Sequence, residues 1–325
     1  MRSKAEAIRP FVPRNDPPQP DVALGIGDDA ALLNPPTDQQ LVIAVDTLVQ
    51  DVHFPVDTLP YDIGWKALAV NLSDLAAMGA EPAWFTLALT LPESSEPWLT
   101  AFSRGLFDLA DQFGLSLVGG DTTRGPLTVT VQIAGYVPTG QALLRAGAVP
   151  GDRIFVTGSL GDATLALQLL TGQLPVPAQN HPGLLKRLNQ PQPRIEEGRA
   201  LGGIANCAID ISDGLLADMQ HMLDASDVGA EIYLPQIPYS TKARQLLNRY
   251  PDIRNSLLSG GDDYELCFCV PPDKLKRLEQ VAVDSQFKFT EIGQISDTKG
   301  LRCMDAAGQA VEIAARGYTH FAKEK

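Results

Sequence analysis

The sequence predicts a two-domain α/β protein, and three observations carry that reading. At 325 residues the chain is too long for one small core, and domain sizes favour about two domains. Apolar strand-like runs and amphipathic helical runs succeed one another twice along it. Between the two successions lies VPTGQALLRAGAVPGD, whose Pro and Gly residues mark a linker and a strand return. The boundary falls near residue 145, separating 1–145 from 146–325.

The first twenty or so residues are proline-rich and read as extended chain. Leu41 to Val49 (LVIAVDTLV) is rich in β-branched residues and reads as a strand. In GWKALAVNLSDLAAMG the residues Trp65, Leu68, Ala69, Leu72, Leu75 and Ala76 recur at helical spacing, with Gly79 as a stop. WFTLALTL is a second strand. Trp98 to Phe113 forms a second amphipathic helix, closed by Gly114, and the strands LSLVGG and LTVTVQIAGYV complete this half. In the second half RIFVTG and AIDIS are strands, with helices starting near Asp162 and Leu215. EIYLP, DDYELCFCV and KFTEIGQI are further strands, and PDKLKRLEQV is helical.

Composition narrows the function. Hydrophobic residues make up 44% and charged residues 20%, the mix of an ordinary globular chain rather than a disordered one. No apolar run approaches the roughly 20 residues that span a bilayer, and the N-terminus lacks a secretory apolar stretch, so the expected compartment is the cytoplasm. The four cysteines contain no Cys-x-x-Cys pair, which argues against zinc and for buried, reduced thiols. A net charge of −13 without any Lys/Arg cluster argues against a nucleic-acid partner. Such a protein binds anions only through metal ions or local arginines.

The placement of the acids is more telling than their number. They stand beside glycines or at the ends of apolar runs: Gly27-Asp28-Asp29, Asp46-Thr47, Gly119-Gly120-Asp121, Asp210-Ile211-Ser212-Asp213-Gly214 and Gly260-Gly261-Asp262-Asp263. Asp74 lies inside the first helix. A single Asp-Gly is usually a turn. Five such sites shift the balance toward Mg2+, which takes hard oxygen ligands, one or two carboxylates per ion plus substrate phosphates.

Other motifs fail on context. Gly25 to Ala30 (GIGDDA) matches the dinucleotide fingerprint G-x-G-x-x-A, but a poor strand, PPQPDVAL, precedes it and Pro35-Pro36 would break a following helix. Neither a G-x-x-x-x-G-K-[ST] loop nor the protein-kinase signature set occurs. Gly158-Ser159-Leu160-Gly161 could seat an anion at a helix N-terminus, though a plain strand–turn–helix explains it as well.

Read together, GIGDDAALL, DTLVQDVHF, KALAVNLSDLAAMGAEPAW, LVGGDTTRGPL, AIDISDGL, SGGDDYELCF and GYTHF resemble the thiamine-monophosphate kinase family over about residues 24 to 321. The resemblance implies an α/β fold of α+β type, similar to aminoimidazole ribonucleotide synthetase, whose N-terminal sheets pair across a homodimer into a barrel. It implies that residues 1–145 bind metal and ATP and dimerise, while 146–325 complete the ATP and substrate site. The implied Mg2+ ligands are Asp29, Asp46, Asp74, Asp121, Asp210 and Asp213. Gly120, Asp121, Arg145 and Ser212 match nucleotide-contacting positions, and His53, Asp262 and Tyr318 match positions that hold thiamine monophosphate.

Two departures stand out. Ala44 and Val45 replace the family's hydroxyl residues before Asp46, and Asp262 stands where glutamate is frequent. A backbone carbonyl could still coordinate at the first. The implied reaction is direct phosphoryl transfer from ATP, with no catalytic general base. A purine-pathway synthetase of the same fold and a non-catalytic nucleotide- and Mg2+-binding dimer are the alternatives.

Overall fold

The computed structural model describes residues 20–313. The proline-rich start and Tyr318 lie outside the described residues. The chain divides into two compact units, one running to Leu75 together with Ala80–Ala142, the other made of Ala76–Gly79 with Leu143 onward.

The first unit opens with two short paired strands, β1 (Val22–Leu24) and β2 (Leu32–Leu33). They flank the GIGDDA loop, so a short strand does form where PPQPDVAL reads poorly, but it leads back into another strand and not into a helix. A four-stranded sheet comes next, from β3 (Gln39–Val49), β4 (Glu81–Leu91), β5 (Ser116–Arg124) and β6 (Thr128–Pro138), in the order β3-β6-β4-β5. Only β4 and β5 run parallel.

Helices α1 (Pro60–Ala77) and α2 (Glu96–Gln112) are the two expected from periodicity. Gly79 and Gly114, at φ of 67° and 63°, end them in the left-handed conformation that side chains resist. The Leu75 side chain lies against Gly135 of β6, which puts α1 on the sheet face that buries Val131, Ile133 and Leu87. On the opposite face, among the described residues, Val22 of β1 packs with Trp84, Ala134 and Tyr136. Beside them on the edge strand β3, Leu41 and Ile43, which pair with Tyr136 and Ala134, and Val45, which pairs with Gln132, remain 42%, 53% and 60% exposed.

The second unit is a seven-stranded sheet of β7 (Arg153–Thr157), β8 (Cys207–Asp210), β9 (Gly229–Tyr233), β10 (Leu266–Val270), β11 (Phe289–Ser296), β12 (Gly300–Met304) and β13 (Ala310–Val311), in the order β13-β12-β9-β11-β7-β10-β8. Side chains alternate across it, as the pleat requires. Cys267 and Cys269 face the core that holds Cys207, Met219 and Met222, while Phe268 points the other way to stack on Phe155. All four thiols are free and buried.

Around this sheet pack helices α3 (Asp162–Leu170), α4 (Pro182–Asn189), α5 (Ile195–Ala200), α6 (Leu215–Ser226), α7 (Thr241–Arg249) and α8 (Arg254–Ser259). A further helix, α9 (Leu275–Ser285), precedes β11. Helices α4, α5, α7 and α8 carry only six to nine residues each, too short to be stable without tertiary packing.

Candidate functional site

In the first unit the central residue is Asp46, within the edge strand β3. Its backbone N–H donates to Asn71 Oδ1 at 3.0 Å, and Asn71, fully buried on α1, donates from Nδ2 to the Ala67 carbonyl at 3.0 Å. The Asp46 amide is therefore held by α1 and not by the β6 ladder. The Ala44 carbonyl, two residues back along the same edge, shares that orientation and stands outside the ladder as well. Asp74, three residues after Asn71, lies on the same side of α1 and is half-buried. Asp46 and Asp74 thus belong to one layer.

The other two acids of this unit do not join them. The register aligns Asp46 with Val131, Leu87 and Gly120, and sets Asp121 in the next row with Thr130 and Ala88. Successive rows point to opposite faces. Asp121 is exposed on the face away from α1, where its Oδ1 accepts the Thr122 N–H at 2.8 Å. The strand expected to end at Gly120 runs on, because the β-branched Thr122 and Thr123 extend its pairing with β4 to Arg124. Asp29 is exposed in the loop between β1 and β2, its N–H bound to Asp28 Oδ1 at 2.8 Å. Among the described residues no three acid, imidazole or thiol groups form a metal-binding cluster.

His53 sits in the turn after β3 and is fixed twice. The Val49 N–H donates to His53 Nδ1 at 2.9 Å, and the His53 N–H returns to the Val49 carbonyl at 2.9 Å. A neutral imidazole accepting at Nδ1 carries its proton on Nε2. Lys66, only 3% exposed on α1, reaches the His53 carbonyl at 3.4 Å. Gly120 and Arg145 are both exposed.

In the second unit two loops lock together by their backbones. After β8, Ile211 exchanges hydrogen bonds with the other loop: its N–H donates to the Glu265 carbonyl and its carbonyl accepts the Tyr264 N–H, both at 2.8 Å. The Asp262 N–H donates to the Ser212 carbonyl at 2.9 Å. Glycine is obligatory at this approach. A Cβ on Gly261 would stand 2.1 Å from the Ser212 oxygen, and one on Gly214 would stand 2.7 Å from Ser259 backbone. Asp262 and Tyr264 take left-handed φ angles of 69° and 49°, which is why β10 starts at Leu266 and not at Asp262. The result brings Asp210, Ser212, Asp213 and Asp262 into one loop pair.

The electrostatics of this pair are those of crowded acids. Asp218, in the first turn of α6, accepts the N–H groups of Asp213 and Gly214 at 2.9 and 3.1 Å. Burial and then the like charge of Asp210 push its carboxyl up to about 7. Behind the loops lies Glu265, fully buried. Its Oε1 accepts Arg187 Nη2 at 2.5 Å and Arg194 Nη2 at 2.6 Å, and its Oε2 accepts Arg194 Nε at 2.6 Å and Thr157 Oγ1 at 2.5 Å. Burial alone would raise this carboxyl, but the hydrogen bonds and charge of Arg194, with the charge of Arg187, hold it below the usual range.

The turn Gly158-Ser159-Leu160-Gly161 is not an open anion seat, because both oxygens of buried Asp263 accept the Gly161 N–H at 2.9 Å. Asn71, Lys66, Asp218, Asp263 and the Glu265 cluster carry no ligand assignment from the sequence motifs. Asn71 and Glu265 share one signal, a polar residue inside an apolar run, as in ALAVNL and YELCF; Asp263, Arg187 and Arg194 stand in polar segments and lack it.

Residues 27–137 match the family described as AIR synthase related protein, N-terminal domain, and residues 149–306 match its C-terminal domain. The chain is 51% identical over 307 residues to a thiamine-monophosphate kinase of Escherichia coli, covering 93% of each chain. The crystal structure of thiamine-monophosphate kinase from Stenotrophomonas maltophilia superimposes with a TM-score of 0.83 at 47% identity, covering 94% of this chain and 96% of that one. A structure described as AaThiL complexed with AMPPCP and TMP superimposes at 0.77 with 30% identity, over 91% and 92% of the two chains.

Proposed function

The chain belongs to the thiamine-monophosphate kinase family, and from that premise we propose that it phosphorylates thiamine monophosphate to thiamine diphosphate with ATP. The observation that carries this reading is the backbone-locked loop pair holding Asp210, Ser212, Asp213 and Asp262. The terminal phosphate oxygen of thiamine monophosphate attacks the γ-phosphorus of ATP. The bond from that phosphorus to the bridging β-oxygen breaks, and ADP leaves with the electron pair.

The attacking oxygen is largely ionised near neutral pH, its second pKa being about 6, so no side chain need remove a proton. The barrier is repulsion between anions. Two unit charges about 4 Å apart repel by roughly 4 kcal/mol at an effective dielectric near 20. The donor set fits Mg2+: carboxylates only, with Asp210 and Asp213 close enough to disturb Asp218 by like charge. We assign Asp29, Asp46, Asp74, Asp121, Asp210 and Asp213 as ligands of several Mg2+ ions, one or two carboxylates to each, with Asp29 and Asp121 serving ions apart from the Asp46 and Asp74 layer. Bound there, Mg2+ would neutralise phosphate charge and hold donor and acceptor together.

The protein's own groups orient the substrates. Gly120, Asp121, Arg145 and Ser212 are assigned to ATP, and His53, Asp262 and Tyr318 to thiamine monophosphate. The fixed tautomer of His53 makes Nε2–H a donor, the polarity that suits an anionic or carbonyl acceptor. Ala44 offers its carbonyl in place of a side-chain hydroxyl, which supports metal binding of altered affinity. Among the described residues, the exposure of Leu41, Ile43 and Val45 on one face of the four-stranded sheet supports a homodimer whose two sheets close into a barrel. Among the described residues no helix is long and apolar enough to cross a membrane, in keeping with a cytoplasmic enzyme.

Steady-state ADP release that requires thiamine monophosphate tests the reading. ATP binding without such turnover would leave a nucleotide-binding dimer instead. Trapping an aspartyl-phosphate during turnover would refute direct transfer.

A further inference from the structure

We infer that Glu265 is a positioning residue for phosphoryl transfer, acting through the two loops that carry Asp210, Ser212, Asp213 and Asp262. This role rests on the function proposed above. Glu265 cannot itself touch substrate. Its carboxylate accepts four hydrogen bonds, two on each oxygen, which uses the capacity of the group, and none of it is exposed.

What the clamp does is set by its neighbours along the chain. One residue before it is Tyr264 at φ 49°, and three before it is Asp262 at φ 69°. Left-handed backbone at non-glycine residues persists only where the surroundings over-determine it. Here the anchor on the strand side is the Glu265 side chain, tied to β7 through Thr157 and to the α4–α5 segment through Arg187 and Arg194. Thr157 contributes twice, since its Oγ1 donates to Glu265 and accepts the Leu266 N–H at 2.8 Å. The Glu265 carbonyl then receives the Ile211 N–H, midway between Asp210 and Ser212. One buried carboxylate therefore sets the register of both loops.

The arrangement predicts how loss of the clamp reads out. Thr157→Val keeps the shape and removes both hydroxyl bonds, while Thr157→Ser keeps them. With the full-length chain, we expect Thr157→Val to lower kcat per folded molecule about tenfold, and Glu265→Gln about 100-fold, the scale of a 1 Å misplacement. Thr157→Ser should restore the wild-type rate. Amide exchange of Ile211, Asp262 and Tyr264, measured without substrate, should accelerate at least several-fold in Thr157→Val. If Thr157→Val keeps wild-type kcat, KM and exchange at those amides, with any loss confined to Tm, Glu265 is only a core ion-pair residue and the inference is overturned. Glu265→Gln removes the buried charge that two guanidiniums share, leaving Arg194 only Glu197 and Arg187 only the Ser159 carbonyl, and risks misfolding, so the threonine pair decides the matter. A wild-type chain lacking thiamine-monophosphate-dependent turnover would overturn the reaction itself, while the substrate-free exchange rates still pass or fail the clamp.

Discussion

Gly261→Ala probes the loop contact most directly. The new Cβ would lie 2.1 Å from the Ser212 carbonyl oxygen, 3.1 Å from the Ser212 carbonyl carbon and 3.3 Å from the Asp213 Cα. Carbon–oxygen contacts close at about 3.3 Å, so the loops must part by roughly 1 Å. All three of these neighbours are backbone atoms, so no side chain can swing aside to absorb the clash. Parting the loops stretches the bond from the Asp262 N–H to the Ser212 carbonyl, now 2.9 Å. Overpacking of this kind costs about 1–3 kcal/mol, which lowers Tm by roughly 2–10 °C for a unit of this size. The larger effect falls on rate, because about 1 Å at the reacting groups can cost 100-fold. ADP release at saturating ATP and thiamine monophosphate, corrected for folded fraction, measures it. Gly183→Ala on α4 is the control: a Cβ there meets nothing within 4 Å, so stability should hold or rise slightly. A Gly261→Ala protein with wild-type kcat and Tm would refute the claim that this approach sets the site.

The remaining predictions concern the acids, the pH and the exposed sheet. Asp46→Asn and Asp213→Asn should each raise the Mg2+ concentration for half-maximal rate at least tenfold with little change in Tm; unchanged Mg2+ titrations would remove them from the ligand set. Because Glu265 is held below its usual range in the folded state, its contribution to stability is full above the unfolded pKa of about 4.3 and is lost as pH falls through the folded value. The Tm gap between wild type and Glu265→Gln should therefore be widest near pH 7 and shrink below about pH 4; a gap that widens on acidification would contradict the ion-pair assignment. Val45→Lys should halve the mass seen by light scattering if the exposed sheet face joins two chains, whereas an unchanged mass would place the contact elsewhere.

What the sequence disclosed depended on whether a signal was local. Helices α1 and α2 were legible because their apolar residues repeat over four or more turns, each closed by a glycine that the structure finds left-handed. The aspartates were legible as a set for a similar reason, each standing against glycine or an apolar run. Their facing was not. Whether Asp121 shares a side with Asp46 depends on one residue of register between β4 and β5, and a pleated strand turns a single step into the opposite face. The helices that deliver Arg187 and Arg194 were hidden too, since segments of six to nine residues owe their helicity to packing and carry no full period. The silence of Glu265 within YELCF has the same origin. A charge inside an apolar strand has no meaning until its partners are known, and these come from 71 and 78 residues earlier in the chain. The chemistry-bearing residues are thus written locally, while the groups that aim them are assembled by the fold.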